Sequence, residues 1–172
     1  MDEILKEAIL QKDSIISNMN TIILSTNCPG GNPNASYAPC VRDEKGYFYI
    51  YISKLSKHAN NLLQNSILSV MIIEDEASSE NIFARKRLTM NCKALEIERD
   101  SLNWIEKISL LEKKFGESVK YLKTLTDFHL FKIEPRDGLL VYGFARAFRF
   151  EGRLLDQIKF LNDKGHTTNK KS

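Results

Sequence analysis

Apolar residues recur along this chain with two different spacings, which together predict a mainly β protein with a few helices. Spacing of three or four residues, typical of an amphipathic helix, marks 3–18, 56–65 and 102–115. Alternation of apolar and polar positions, or a short β-branched run, is typical of a strand and marks most of the remainder. The predicted strands are 21–25, 35–39, 47–53, 67–74, 85–98, 128–133 and 139–150, and a short helix is predicted at 118–122.

Glycine, proline and asparagine divide these strands into predicted connections. Turn residues at 28–34 and 43–46 predict that 21–53 forms a three-stranded antiparallel meander. Pro135 to Gly138 predicts a turn before the last long strand, in which Gly143 is a candidate bulge. Because the pattern contains few βαβ units, the fold class that we predict is a mainly β (α+β) antiparallel barrel with peripheral helices.

Composition narrows the class of protein further. The chain has 172 residues, 42% of them hydrophobic, and a net charge of +3, which suits one globular domain and is too small a charge to indicate a nucleic-acid partner. No apolar run approaches the roughly 20 residues that cross a bilayer, and the acidic N-terminus does not resemble a secretory signal. We therefore expect a cytoplasmic protein with no membrane partner. The domain is predicted to span 1–162, and the polar tail 163–172 has too little apolar surface to fold by itself.

The cysteines do not predict a functional site. The three scattered cysteines, Cys28, Cys40 and Cys92, match neither a disulfide framework nor a zinc site and are expected to be free and mostly buried.

On an extended strand Arg85 and Arg87 would share a face and form a clamp for phosphate or carboxylate. The alternative is a solvated strand edge guarded by charge. The acids at 74–76 cannot converge on one metal ion from a strand, so we expect them to be partners of the cation cluster Arg85, Lys86 and Arg87.

Six segments of the chain carry a resemblance. They are GNPNASYAP (31–39), SKLSKHANNL (53–62), SVMIIEDE (69–76), IFARKRLT (82–89), DFHLFKIEP (127–135) and GFARAF (143–148). Together they resemble the HugZ/HutZ family of haem-utilisation proteins, within the FMN-binding split-barrel group typified by pyridoxamine phosphate oxidase. The pairing of EDE with ARKRLT is specific to the family, whereas the first segment is shared across the wider group. The similarity runs from about residue 18 to residue 166.

The resemblance implies a fold and an activity. The fold would be a six-stranded antiparallel split barrel with flanking helices, assembled as a homodimer. Haem would bind near the dimer interface as both substrate and cofactor. Its ring would be opened with O₂ and electrons from an unidentified donor, releasing iron. FMN binding, usual in the superfamily, is typically weak or absent in this family. The resemblance also assigns His166 as the axial iron ligand and Asp127 as the group that hydrogen-bonds this histidine across the dimer.

The residue types in the chain can be compared with what a haem site requires. Haem requires an imidazole for iron, an apolar cleft and cations for two propionates. The chain offers three histidines. His58 lies in a predicted helix beside lysines and suits an anion better than iron, and His129 reads as a partly exposed sheet residue. His166 follows Gly165 in the polar tail, where a histidine is either solvated or a ligand. A carboxylate such as Asp127 would fix its tautomer and enrich its electron density; otherwise Asp127 simply begins a strand.

The cations leave two kinds of cofactor open. Arg85 and Arg87 carry the charge needed for propionates or for a distal ligand such as water or O₂. Lys54, Ser56 and Lys57 occupy the region where split-barrel flavoproteins grip the FMN phosphate, unless Ser56 only caps a helix and the lysines are solvated. The leading hypothesis is oxidative haem degradation. The alternatives are an FMN-dependent oxidoreductase of the pyridoxamine phosphate oxidase type and a haem storage or delivery protein without catalysis.

Overall fold

The computed structural model describes residues 3–144 and 146–160, which form one antiparallel sheet and four α-helices. The helices are α1 (Glu3–Ser17), α2 (Lys57–Gln64), α3 (Leu102–Phe115) and α4 (Glu117–Leu122). The strands are β1 (Thr21–Asn27), β2 (Pro33–Pro39), β3 (Val41–Arg42), β4 (Phe48–Ser53), β5 (Ile67–Ile73), β6 (Arg87–Ile97), β7 (Phe128–Val141), β8 (Ala147–Glu151) and β9 (Gln157–Phe160). Two short 3₁₀ helices, Glu76–Ser78 and Ile82–Ala84, lie between β5 and β6.

The strand order confirms the predicted barrel. Neighbouring strands follow the order β2-β1-β5-β6-β7-β4-β3, and every pair is antiparallel. Because β2 also contacts β4, six strands curl into an incomplete barrel. Besides the six barrel strands that the resemblance implies, the described residues form three more, since β3 extends one edge and β8 and β9 extend the sheet from β7.

The predicted meander over 21–53 is wrong. β1 pairs with β2, but β4 leaves this hairpin and pairs with β7 and β3. The reason is that β4 is buried on both faces. Phe48 and Ile50 point into the barrel core, whereas Tyr49 and Tyr51 pack under α3 and α4 against Trp104. A strand that is apolar on both faces needs cover on both sides, which the end of a meander would not give it.

The predicted turn at Pro135 to Gly138 is also wrong, because β7 continues through it to Val141. The register of β6 against β7 shifts between Asn91 and Cys92, and this bulge accommodates the irregular residues. Gly138 is needed in the strand, since a Cβ there would lie 3.2 Å from Leu88 Cδ1. The chain turns after Val141 instead, where Gly143 has a φ of 71°, so Gly143 belongs to a turn and not to a strand bulge.

The helices cap the barrel and leave one face of its wall open. Apolar residues of α1 and α2 join the core at the barrel's ends. The outward side chains of five neighbouring strands form one register row, which is Tyr37, Ile23, Met71, Thr89 and Leu139. Tyr37 is 67% exposed and Ile23 is 36% exposed. This row, called here the open face, is mostly apolar and is not fully buried in one chain.

The expectation for the cysteines is confirmed. All three cysteines are free, with Cys40 and Cys92 buried, and burial raises the pKa of each of these two thiols to about 12. They are therefore unreactive core residues at neutral pH. None of the helices in the described ranges is both long enough and apolar enough to cross a membrane.

Candidate functional site

Asp127 immediately precedes β7, and one of its two carboxylate oxygens is hydrogen-bonded. Its Oδ2 accepts a hydrogen bond from Ser53 Oγ at the end of β4, and its main-chain oxygen accepts one from Lys54 N at 2.7 Å. Ser53 Oγ in turn accepts a hydrogen bond from Leu55 N at 3.0 Å. Among the described residues, Asp127 Oδ1 accepts no hydrogen bond. Ser53, Lys54 and Asp127, called here the Asp127 corner, thus present a fixed carboxylate with one oxygen available.

The residues predicted to hold an FMN phosphate lie beside this corner. Ser56 occupies the N-cap position of α2, as predicted, but its side chain makes no capping hydrogen bond. Its hydroxyl donates instead to Ser53 O at 2.6 Å. Lys54 and Lys57 are exposed at the start of α2. Asn60 Nδ2 fixes this turn by donating to Lys54 O at 2.6 Å. The two ammonium groups could hold an anion, whereas the Ser56 hydroxyl proton is already engaged.

Arg85 and Arg87 do not share a strand face, so this part of the prediction is wrong. The second 3₁₀ helix ends at Arg85, and β6 begins only at Arg87. Arg85 Nη1 lies 3.1 Å from Glu76 Oε1, and its Nε donates to Glu74 O at 2.8 Å. Arg87 Nη1 donates to Arg85 O at 3.0 Å. The predicted pairing of the acids with the cation cluster is confirmed for Glu76 with Arg85, and Glu74, Glu76, Arg85 and Arg87 are called here the arginine rim.

The corner and the rim lie at opposite ends of β7. Asp127 immediately precedes Phe128, the first residue of β7, whereas Arg87 pairs with Val141, the last. β7 has 14 residues, a path of roughly 45 Å at about 3.3 Å per residue. One chain therefore does not bring Asp127 together with the two arginines.

The candidate iron ligand His166 lies outside the described residues, as does the whole predicted tail 163–172. The last described residue, Phe160, pairs with Phe148 of β8. The neighbouring residue of β8, Ala147, pairs with Val141. The described chain therefore ends at the rim end of β7, far from its own Asp127.

The other two histidines occupy structural positions. His129 is a partly exposed residue of β7 whose Nδ1 lies 2.5 Å from Glu96 Oε1 on β6, as its alternating pattern predicted. His58 is half-buried in α2, where burial lowers its pKa. The described residues contain no group of three or more His, Cys, Asp or Glu side chains arranged to hold a metal ion.

Two residues that position Asp127 were missed by the sequence reasoning. Ser53 lies in a recognised segment, but its distance from Asp127 along the chain concealed their contact. Arg99 Nη1 donates to Leu125 O at 2.9 Å, on the loop that leads to Asp127. Neither contact has a local signal, because each depends on the pairing of β4 with β7 or on the path of the α4–β7 loop.

Comparison with known proteins agrees with this architecture. The family model described as pyridoxamine 5'-phosphate oxidase matches residues 11–142. The curated protein heme oxygenase HutZ of Vibrio cholerae serotype O1 is 42% identical over 147 residues, which cover 85% of this chain and 82% of that protein.

Two crystal structures share the fold. HutZ from Vibrio cholerae, described there as a haem storage protein, has a TM-score of 0.74 at 37% identity and covers 78% of this chain and 95% of its own. Campylobacter jejuni ChuZ has a TM-score of 0.84 at 28% identity and covers 95% of this chain and 66% of its own. The chain therefore belongs to the pyridoxamine 5'-phosphate oxidase family of split barrels and, within it, to the HutZ group of haem-utilisation proteins.

Proposed function

We propose that this protein binds haem as its substrate and opens the ring oxidatively with O₂ and electrons from a separate donor, releasing iron. The observation that carries the proposal is the 42% identity to a haem oxygenase over 85% of the chain. In this proposal His166 ligates the iron and Asp127 orients His166. Haem and O₂ supply the redox chemistry, and the protein supplies the ligand, the shape and the charge.

The geometry of Asp127 supports its role. Ser53 occupies Oδ2, which leaves Oδ1 to accept the Nδ1 proton of an imidazole. That hydrogen bond would fix the tautomer in which Nε2 faces the iron, and it would make the ligand more electron-rich. A more electron-rich ligand favours the reduction of O₂ on the opposite side of the haem.

Chain length supports a site shared between two copies. His166 follows Phe160 by six residues, and six extended residues span at most about 20 Å. Asp127 of the same chain is roughly 45 Å away along β7 from the strand end where Phe160 lies. We therefore propose a homodimer in which each His166 meets the Asp127 of the other copy. The open face is the surface that we assign to this contact, because a second copy would cover its exposed Tyr37 and Ile23.

The arginine rim suits the haem propionates and macrocycle. Arg85 and Arg87 supply guanidinium groups for carboxylates or a distal ligand. Beside them, Phe83 is 85% exposed and Phe144 is 66% exposed, and Gly143 N donates to Ala84 O at 3.1 Å, which joins the loops that carry them. Two exposed rings beside two cations fit an amphipathic ligand with an apolar plane and acidic arms.

The first experiment tests the iron ligand. Purified protein titrated with haem should develop a Soret band, and His166→Ala should change that spectrum because the axial ligand is lost. His129→Ala is the matched control and should keep the wild-type spectrum. An unchanged spectrum in His166→Ala would show that another group ligates the iron.

A mixing experiment tests the shared site. Neither His166→Ala nor Asp127→Asn alone has a complete site, but a mixed dimer contains one site with both native residues if the pair acts between subunits. Random mixing should then restore roughly a quarter of wild-type activity. If His166 and Asp127 act within one chain, mixing restores nothing.

A haem storage function is the second candidate, because the related HutZ crystal structure is described as a storage protein. Ascorbate added to the haem complex in air separates the two. Loss of the Soret band with released iron supports ring opening, whereas a stable spectrum supports storage. A yellow preparation with flavin absorbance would favour the FMN-dependent alternative, with Lys54 and Lys57 at the phosphate.

A further inference from the structure

The side chain of Arg99, just after β6, binds the loop that carries Asp127. Its Nη2 donates to Lys123 O at 2.5 Å and its Nη1 to Leu125 O at 2.9 Å, with Phe128 O a longer acceptor at 3.5 Å. Asp127 lies between the second and third of these carbonyl groups. One guanidinium therefore holds the main chain on both sides of the carboxylate.

The guanidinium is itself fixed in place. Arg99 Cζ lies 5.5 Å from the centre of the Trp104 ring, and Nη1 lies 3.4 Å from the Tyr51 hydroxyl. Trp104 and Tyr51 belong to the buried cluster between β4 and α3. Arg99 thus connects this buried cluster to the loop before Phe128, which pairs with no strand.

We propose that Arg99 is a positioning residue for Asp127 in haem binding and ring opening, an inference that rests on the proposed function. Ser53 fixes one carboxylate oxygen directly, and Arg99 fixes the main chain from which the carboxylate extends. Together they aim Oδ1 at the imidazole of the iron ligand. A planar fork with donors in fixed directions can bind several carbonyl groups at once, whereas a lysine ammonium cannot reproduce that geometry.

The test compares Arg99→Lys with Asp127→Asn, and Arg136→Lys is the control. Arg136 lies exposed on β7, so its replacement keeps the charge and leaves the loop unchanged. In the haem-free protein, amide hydrogen exchange at 123–128 should become faster in Arg99→Lys and stay unchanged in Arg136→Lys. This readout needs no haem and no activity.

The haem complex gives the second readout. The iron–imidazole stretching band of the ferrous complex should shift in Arg99→Lys in the same direction as in Asp127→Asn, because both weaken the hydrogen bond to Nδ1. The rate of ring opening should fall roughly tenfold, as is typical when the support of a metal ligand is disturbed. A general loss of packing would not reproduce the direction of the band shift. Free methylguanidinium added to Arg99→Ala should move the band back towards the wild-type position.

Two results separate failure of this inference from failure of the function. If Asp127→Asn shifts the band and folded Arg99→Lys keeps the wild-type band and exchange rates, Arg99 does not position Asp127, and the proposed function stands. If Asp127→Asn leaves the band unchanged, the ligand-orienting role of Asp127 is wrong, and the inference about Arg99 falls with it.

Discussion

The Asp127 corner and the arginine rim differ in how many fixed partners hold their charged groups. At the corner, Asp127 is bonded to Ser53 and to the main chain of Lys54, and Arg99 binds the carbonyl groups of the neighbouring loop. At the rim, Arg85 and Arg87 each donate to one main-chain oxygen, but Arg85 Nη1 is paired with Glu76, whose side chain is 74% exposed. Main-chain partners are fixed by the fold, whereas an exposed carboxylate can leave its partner at little cost.

This difference matches what each region has to do in the proposed reaction. The group that orients a metal ligand works best when it is already in place before the ligand arrives. A cation that receives a propionate can exchange one carboxylate for another, since the incoming group replaces Glu76 with the same chemistry. The corner is therefore preorganised, and the rim is exchangeable.

The largest effect on stability is expected when Arg99 and Arg85 are replaced in turn. Arg99→Met removes charged donors from several main-chain acceptors and should lower the free energy of unfolding by about 2–3 kcal/mol. Arg85→Met removes one ion pair with an exposed carboxylate and one main-chain contact, and should cost less than Arg99→Met, about 1–1.5 kcal/mol. Urea unfolding of both variants measures the difference.

The comparison is valid only if both variants unfold in one step with the wild-type dependence on urea concentration. Arg136→Met, which replaces an exposed arginine on β7, should stay within about 0.5 kcal/mol of the wild type. Equal losses in Arg99→Met and Arg85→Met would show that the rim is as firmly built as the corner.

A smaller effect is expected from Ser53→Ala. The substitution leaves Asp127 Oδ2 and Leu55 N without their partner, and it should lower the free energy of unfolding by about 1–2 kcal/mol. Ser25→Ala on β1 is the matched control, because Ser25 is also an exposed-face strand serine but has no side-chain hydrogen bond among the described residues; it should cost less than about 0.5 kcal/mol. Similar losses in the two variants would mean that water replaces Ser53 at no cost.

Much of the fold could be predicted because its elements have local signals. The helix at 102–115 has the predicted bounds, and 67–74 forms β5 to within one residue. The errors concern partners: which strand pairs with β4, and whether the chain turns at Pro135. Both depend on contacts between distant segments, and a bulge at Arg136 of β7 absorbs the irregularity that predicted a turn.

The candidate site was predictable only as far as its residue types. Arginines beside acids predicted charge pairing, and Glu76 and Arg85 confirm it. Strand alternation failed at Arg85 because a 3₁₀ helix ends there and strand geometry starts only at Arg87. The residues that support Asp127 could not be predicted from the sequence. Ser53 is 74 residues away along the chain, and Arg99 binds main-chain carbonyl groups, which every residue type carries.

Glu76→Gln sharpens the description of the rim. Removing the carboxylate frees Arg85 for an incoming propionate, so the affinity for haem should rise, by less than about tenfold because exposed ion pairs contribute at most about 1 kcal/mol. Glu80→Gln is the control, since Glu80 is an exposed acid of the same loop and has no ion pair among the described residues. Haem titration at low and high salt measures both. A fall in affinity, or an equal rise in both variants, would contradict the proposed exchange.

The smallest effect should come from His58, which lies in the first turn of α2 next to the corner. Burial lowers its pKa, so between the folded value and the unfolded value of about 6.5 the unfolded chain binds more protons than the folded one. Stability contributed by neutral His58 is therefore complete above pH 6.5 and is lost as the pH falls through this window. His58→Gln should lose less unfolding free energy than the wild type between pH 7.5 and pH 5.5, whereas His129→Gln should keep the contribution of His58. Equal losses in the wild type and His58→Gln would mean that burial at the start of α2 imposes no cost on the charged imidazole, and that the firmness of the corner comes from its hydrogen bonds alone.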